Sequence, residues 1–233
     1  NDHIEKSIVP LMKNSYTGAF IGATSQKDLE DLEKLNLQIP IVLINRQSEK
    51  YSTVYTDYKA IGFQAATLFR QKGYTEAAVF TARRPYMATG LRTQAFLNAC
   101  TQIGITVDPE EIFATANSIS GGVEAARAYC AASQPSKVIF CESDLMALGA
   151  IWELNHQGIR MPQDVELLCI GMMDPEMTEY SSPSLSTIQM NNKEVTEKAL
   201  DLLLDAIADG SRDPRQIEVP FQVYLRSTFQ SRS

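Results

Sequence analysis

Short apolar runs alternate along this chain with segments whose apolar residues recur at helical spacing, and no other sequence feature limits the fold as strongly. The runs are rich in β-branched and aromatic residues and lie at 18–22, 39–44, 77–81, 138–141 and 167–171. Continuous apolar runs of this kind are typical of strands that are buried on both faces of a parallel sheet. The alternation predicts an α/β fold with a doubly wound parallel sheet, and the length of 233 residues predicts two such sheets.

Glycines mark the ends of the predicted helices. Helically spaced apolar residues stop at Gly73, Gly104, Gly158 and Gly210. Glycine is favoured at these positions because it readily adopts the left-handed backbone conformation that closes a helix.

The composition excludes several classes of function. The formal net charge is −7 and the sequence pI is about 5.0. An acidic chain without a basic cluster is a poor nucleic-acid binder on its own. No apolar run approaches the ~20 residues that a membrane helix needs, so we predict no membrane partner.

The cysteines predict a reducing compartment rather than a disulfide framework. None of Cys100, Cys130, Cys141 and Cys169 forms a C-x-x-C pair, and two of them end apolar runs. A buried free thiol in such a run behaves as a small hydrophobic group. With only two histidines in the chain, a zinc site is not predicted. We predict unpaired thiols in a cytoplasmic protein.

The sequence lacks the motifs of the common enzyme classes. It contains no G-x-x-x-x-G-K-[ST] loop, no G-x-G-x-x-G after a strand and no G-x-S-x-G elbow. We therefore predict a binding protein without catalytic residues, without a cofactor and without a metal.

Short segments spread over nearly the whole chain resemble the core of the LacI family of bacterial transcription regulators. They are 39–46 (IPIVLINR), 56–57 with 72–74 (TD and KGY), 92–96 (RTQAF), 143–149 (SDLMALG), 158–165 with 183–188 (GIRMPQDV and PSLSTI) and 225–228 (LRST). Each segment is short, but together, in this order and spacing, they are specific.

This resemblance implies a periplasmic-binding-protein-like fold of type I, in which two lobes are joined by three crossover strands. The crossovers are expected near 56, 188–191 and 217–220. Ligands of open α/β sheets bind beyond the carboxyl ends of the strands, so the effector is expected in the cleft between the lobes. The expected lobes are 1–56 with 192–218, which is incomplete, and 57–191 with 219–233.

Two parts of the family pattern are not recognised in the sequence. One is the basic helix-turn-helix, and the other is the first strand, first helix and second strand of the core, because residue 1 already aligns near the helix before 18–22. We expect these residues to be an incomplete part of a longer protein whose N-terminal head binds operator DNA.

The resemblance assigns effector contacts to Arg92, Asn45 and Tyr86. The arginine fork can hold two hydroxyls, a carboxylate or a phosphate in one plane, although a surface arginine near a helix start is the alternative. Asn45 ends the 39–44 run and offers a donor and an acceptor to a hydroxylated ligand; equally, it can be a turn residue that bonds its own backbone. Tyr86 precedes Arg92 and is expected to line the cleft.

Ser143 and Met173 stand where relatives commonly carry an asparagine and an acidic residue that bind effector. A hydroxyl makes fewer hydrogen bonds than an amide, and a thioether accepts none strongly, so a plain hexose effector is disfavoured. Asp174 replaces the acidic residue if the loop shifts by one position, and otherwise serves as a turn residue before Pro175. Asp144 is expected to be a helix N-cap.

The resemblance also implies a homodimer. Residues 120–132, 145–157 and 176–182 match regions that relatives use for dimerisation. The alanines at 125, 126, 147 and 150 are expected to permit close helix approach there.

We therefore predict a sensor of a sugar, a sugar phosphate or a related metabolite, which controls operator binding allosterically. The alternative is an extracytoplasmic solute-binding protein of an uptake system, which shares the fold. The unpaired cysteines and the segments 39–46 and 225–228 favour the regulator.

Overall fold

The computed structural model describes residues 8, 13, 16–22, 26–83 and 87–230. The chain divides into two compact units. Unit 1 consists of Asn1–Asp57, Tyr86–Ala88 and Asn191–Pro220, and unit 2 of Tyr58–Pro85, Thr89–Met190 and Phe221–Ser233. Each unit is built on a parallel sheet, so the predicted α/β fold with two parallel-sheet lobes is confirmed.

The elements of the described residues are numbered in chain order. The strands are β1 (Ala19–Gly22), β2 (Ile41–Ile44), β3 (Ser52–Tyr55), β4 (Ala78–Ala82), β5 (Ile112–Thr115), β6 (Val138–Cys141), β7 (Glu166–Gly171), β8 (Ser186–Gln189), β9 (Gln216–Glu218) and β10 (Gln222–Tyr224). The helices are α1 (Gln26–Lys34), α2 (Tyr58–Gln71), α3 (Met87–Ile103), α4 (Ile119–Ala131), α5 (Asp144–His156), α6 (Pro175–Glu179) and α7 (Asn192–Asp209), with a 3-10 turn at Pro109–Glu111. Within these ranges no helix is long and apolar enough to cross a membrane.

The described strands of unit 1 form a parallel sheet in the order β1-β2-β3-β9. Successive side chains of a strand point to opposite faces. Accordingly, Ile41 and Leu43 of β2 join the apolar core that contains Leu32 of α1, while Val42 joins the core that contains Leu202 of α7. Helices thus cover both faces of the sheet, as in doubly wound proteins.

The described strands of unit 2 follow the order β10-β8-β7-β6-β4-β5, with only β10 antiparallel among them. Here β6 separates two cores. Phe140 packs with Phe69 and Phe96, and its ring stacks on Phe96 with 4.0 Å between centroids. Ile139 and Cys141 face the opposite core, beneath α4 and α5. The sheet is therefore buried on both faces, as its apolar runs predict.

Two glycines let α4 and α5 approach until their backbones touch. A β-carbon at Gly122 would lie 1.9 Å from the carbonyl oxygen of Met146, and one at Gly149 would lie 1.9 Å from that of Ile119. Both distances are far below van der Waals contact, so neither position can hold a side chain without moving a helix.

The alanine-rich faces of α4 and α5 pack inside unit 2. Ala125, Ala126, Ala147 and Ala150 are fully buried in the core of unit 2. The prediction that these alanines permit close helix approach at a subunit contact is therefore wrong. Their small side chains serve the crossing of α4 and α5 within one chain.

Residues 225–228, which carry part of the family resemblance, have a structural role. Arg226 donates from Nη1 to the carbonyl oxygen of Leu185 at 2.9 Å and to Oγ1 of Thr178 at 3.2 Å. Thr228 accepts a hydrogen bond from the N–H of Ser186 at 2.8 Å. The segment therefore fastens the C-terminal part of the chain to β8.

All four cysteines are free, and they differ in burial. Cys100, Cys141 and Cys169 are buried, whereas Cys130 is partly exposed. Burial raises the pKa of the Cys100 thiol to about 12 and also raises the pKa values of Cys141, Cys169 and the more accessible Cys130. Because the thiolate is the reactive form, we expect iodoacetamide to label Cys130 first in the native protein. Peptide mass spectrometry checks this, and equally fast native labelling of Cys141 or Cys169 would contradict it.

Candidate functional site

Most of the residues selected from the sequence gather at one edge of the unit 2 sheet. The carboxyl ends of parallel strands meet at a single edge, where α/β proteins bind ligands. Residues 142–144 follow β6 and residues 172–174 follow β7 at this edge, and Met190 follows β8. Arg92 reaches the same place from α3, since it contacts Met172 and Met190.

Arg92 is buried, with a relative exposure of 2%. Its Nη1 lies 2.8 Å from Sδ of Met172 and 3.9 Å from Sδ of Met190, and its guanidinium carbon lies 5.9 Å from the ring centre of Tyr58. The buried Nε has no hydrogen-bond partner among the described residues. The ion pairs within the described ranges do not include Arg92 either. The alternative of a surface arginine is therefore wrong.

This burial has an energetic consequence. Loss of solvation is the main cause that lowers the pKa of Arg92, and the attraction of Tyr58, Glu142 and Asp144 opposes it. Arginine stays protonated at neutral pH even so. A buried cation without strong acceptors costs free energy of folding. Arg92 is thus a charged donor group without an acceptor of matching strength in the part of the chain that the structure describes.

Thioether sulfurs contact the Arg92 guanidinium, whereas relatives commonly carry an acidic residue after the strand that corresponds to β7. Met172, which is 39% exposed, contacts Arg92 directly. Met173 is half-buried, and its carbonyl oxygen accepts a hydrogen bond from Nε2 of Gln189 at 2.9 Å. The sequence reasoning selected Met173 and not Met172 or Met190, because only the folded chain shows which thioether reaches Arg92.

Asp144 fixes the connection between β7 and α6. Its buried Oδ2 accepts hydrogen bonds from the backbone N–H groups of Met172 and Met173, each at 2.6 Å, and Oδ1 accepts from the N–H of Leu145 at 3.0 Å. The expectation that Asp144 is the N-cap of α5 is wrong. The N-cap is Ser143, which frees the Asp144 carboxylate to reach across to the neighbouring loop.

Ser143 has its hydroxyl engaged on both sides. Its Oγ accepts from the N–H of Met146 at 3.3 Å as the N-cap of α5 and donates to Oδ1 of Asn117 at 2.6 Å. The side chain is 2% exposed. The hydroxyl thus uses its proton and one of its lone pairs within the chain.

Glu142 is a site residue that the sequence reasoning missed. Its Oε2 accepts from the hydroxyls of Thr81 at 2.6 Å and Thr93 at 2.8 Å, and its Oε1 accepts from the N–H of Ala82 at 2.8 Å. The residue is fully buried. In the sequence, Glu142 is an acidic residue directly after an apolar run, and such a residue is usually interpreted as lying on the surface.

The remaining predicted site residues have different surroundings. Asp174 is exposed and caps α6 by accepting from the N–H of Glu176 at 3.0 Å. Asn45 belongs to unit 1, has a φ of 53°, and accepts through Oδ1 from the N–H of Thr56 at 3.3 Å. Asparagine tolerates this left-handed conformation. Tyr86 lies outside the described residues.

A family model described as a periplasmic binding protein-like domain matches residues 66–229. Among solved structures, a LacI family transcription regulator from Clostridium acetobutylicum is 36% identical, with a TM-score of 0.87. The match covers 92% of this chain and 80% of that one.

Curated relatives are transcriptional repressors. The repressor CytR of Escherichia coli K12 is 28% identical over 217 residues, which are 89% of this chain and 63% of that protein. The repressor PurR of Vibrio cholerae is 27% identical over 204 residues, 87% of this chain and 60% of that protein. The chain thus spans about three fifths of the length of these relatives.

Proposed function

The chain belongs to the LacI family of transcription regulators, of which it carries the periplasmic binding protein-like domain, and on this premise we propose that it senses a small-molecule effector. The observation that carries the proposal is Arg92, a buried cation whose Nε lacks a hydrogen-bond partner among the described residues. An effector supplies the missing acceptor. Natural proteins retain such destabilising groups where function needs them.

The sensing is proposed to be allosteric. A ligand that binds one arrangement of the two units more tightly than another shifts the population towards that arrangement. In the whole regulator, this shift changes the affinity for operator DNA by an amount that the differential binding sets. DNA binding is assigned to a segment other than these residues, which are acidic overall.

We also propose that the protein binds its effector without catalysing a reaction, and that it acts in the cytoplasm. Its support is that the curated relatives are transcriptional repressors. The same relatives disfavour the alternative of an extracytoplasmic solute-binding protein.

An effector screen tests the proposal through protein stability. Sugars, sugar phosphates, nucleosides and small acids are added to the protein, and thermal unfolding is recorded. A ligand at one hundred times its Kd adds about 2.7 kcal/mol, which raises Tm by about 5–10 °C for a protein of this size. We expect Arg92→Leu to remove the shift and the exposed control Arg70→Leu to keep it.

The unliganded Arg92→Leu variant supplies a second readout. Replacing an unpaired buried charge by an apolar side chain is expected to leave the free energy of unfolding unchanged or to raise it. A loss of more than about 1 kcal/mol would identify Arg92 as a structural residue instead. A stable variant that still responds to the effector would remove Arg92 from the site.

Homodimerisation is part of the proposal and has its own support. Trp152 on α5 is 57% exposed, and Met177 and Tyr180 around α6 are 57% and 80% exposed. Leu148 and Ile151 line an indentation of about 530 Å³ beside Trp152. Exposed apolar groups of this size are typical of subunit contacts.

Light scattering tests the dimer. We expect the wild-type protein to be a dimer at micromolar concentration and Trp152→Glu to be a monomer, because a buried unpaired charge opposes association. Phe63→Glu, which changes another exposed aromatic residue, is expected to remain a dimer. A monomeric wild-type protein would contradict this part of the proposal.

A further inference from the structure

We infer that the effector is a carboxylate carried on an apolar body, with its carboxylate bound by Arg92. This inference names the ligand class of the proposed function and rests on it. Its basis is the set of polar groups that unit 2 leaves available at the carboxyl edge of its sheet.

Most polar groups at this edge already hold one another. Asp144 accepts from three backbone N–H groups, including those of Met172 and Met173. Glu142 accepts from two hydroxyls and one N–H, and Ser143 caps α5 while it donates to Asn117. Apart from Arg92, the unpaired side-chain atom that the described residues offer at the end of β8 is Oε1 of Gln189. A ligand with many hydroxyl groups therefore meets few partners here, and buried hydroxyls without partners weaken binding.

Arg92 is different because its buried Nε makes no hydrogen bond to any of the described residues. Nη1 contacts the two thioethers, and Nε is left without a hydrogen bond within the described part of the chain. Nε and Nη2 present two parallel N–H bonds. This pair matches the two oxygens of a carboxylate, which is the geometry of the strongest arginine pairs.

The neighbouring acidic groups do not take the place of that carboxylate. Glu142 and Asp144 attract Arg92, but neither forms an ion pair with it. Their oxygens are directed to other donors, at 2.6–3.0 Å. The charge of Arg92 thus remains without a direct counter-ion among the described residues.

The surface next to the guanidinium is soft and apolar. It consists of the side chains of Met172 and Met190 with the ring of Tyr58. Thioethers are polarisable and adapt to aromatic and branched aliphatic groups. This surface fits the hydrocarbon part of the ligand, while Arg92 fits its charged end.

Calorimetric titration of the chain with matched pairs of probes tests the inference. The carboxylates are phenylacetate, benzoate and 4-methylpentanoate, each paired with its primary amide, and ribose and cytidine are the hydroxylated probes. We expect at least one carboxylate to bind with a Kd below about 1 mM, and its amide to bind at least about tenfold more weakly.

Two variants separate a specific site from general attraction of anions. Arg92→Leu is expected to abolish carboxylate binding, and Arg92→Lys to retain part of it. Arg83→Leu removes an exposed cation that follows β4 and pairs with Glu124, and it is expected to leave the Kd unchanged. Circular dichroism of each variant establishes that it is folded.

Each outcome decides a different statement. Binding of ribose or cytidine without any carboxylate would overturn the ligand class and keep the sensor. Carboxylate binding that survives in a folded Arg92→Leu variant would overturn the role of Arg92. If no probe here and no compound of the wider effector screen binds the folded protein, both the ligand class and the proposed function fail.

Discussion

Replacing Gly122 by alanine is expected to lower the free energy of unfolding by about 3 kcal/mol, at the upper end of the usual cost of overpacking. The added β-carbon would lie 1.9 Å from the carbonyl oxygen of Met146. That atom belongs to the backbone of α5, so no side-chain rotation relieves the clash. The two helices must separate, which opens the core that Ala126 and Ala147 fill. Urea denaturation monitored by circular dichroism measures the loss.

A matched substitution separates the clash from the general effect of adding a methyl group. Gly158 has a φ of 75° and open space around its β-position. Gly158→Ala is therefore expected to cost about 1 kcal/mol, from backbone strain alone. If Gly122→Ala proves no more destabilising than Gly158→Ala, α4 and α5 are not in the close contact described above.

Replacing Asp144 by alanine is expected to lower the free energy of unfolding by about 4 kcal/mol. The substitution removes the carboxylate that accepts hydrogen bonds from three backbone N–H groups. Each buried donor left without a partner costs about 1–3 kcal/mol. The damage is expected to concentrate at Met172 and Met173. Hydrogen exchange of their amides is the direct measurement, and both should exchange much faster in the variant than in the wild type.

The control for this substitution removes a carboxylate that serves only one exposed donor. Asp174 caps the short helix α6 through the N–H of Glu176. Asp174→Ala is expected to cost about 1 kcal/mol, the usual loss for an N-cap. Equal costs for the two variants, or slow exchange at Met172 in Asp144→Ala, would show that Asp144 does not hold the loop.

The fold was predictable where the signal is local. The apolar runs correspond to β1, β2, β4, β6 and β7, because strands buried on both faces need a continuous apolar sequence. The helix stops at glycine were also predictable. Gly73, Gly104, Gly158 and Gly210 all have positive φ, the conformation that ends a helix and that glycine adopts most easily.

Other elements left no such signal. β3 (Ser52–Tyr55) contains three residues with a hydroxyl group, and β9 and β10 are three-residue strands with polar ends. Strands of this kind are defined by the neighbours with which they pair, and pairing partners are distant in sequence. Val54, for example, pairs with Ile217.

The candidate site shows the same limit. Sequence reasoning selected Arg92 and noticed that sulfur replaces oxygen after β7. It did not select Tyr58 or Met190, because their proximity to Arg92 arises only when α2, α3 and β8 pack together. The buried role of Glu142 depends on hydroxyls from two other elements. Long-range contacts of this type are not encoded in any short motif.

The Asp144 carboxylate binds the β7–α6 connection through its main-chain amides. Every residue except proline has the same main-chain N–H group, so this attachment does not depend on which side chain stands at these positions. The side chains at positions 172 and 173 can therefore be replaced without changing the backbone path between β7 and α6. A duplicated copy of such a gene could acquire a new ligand preference through single substitutions there, each step passing through a folded protein.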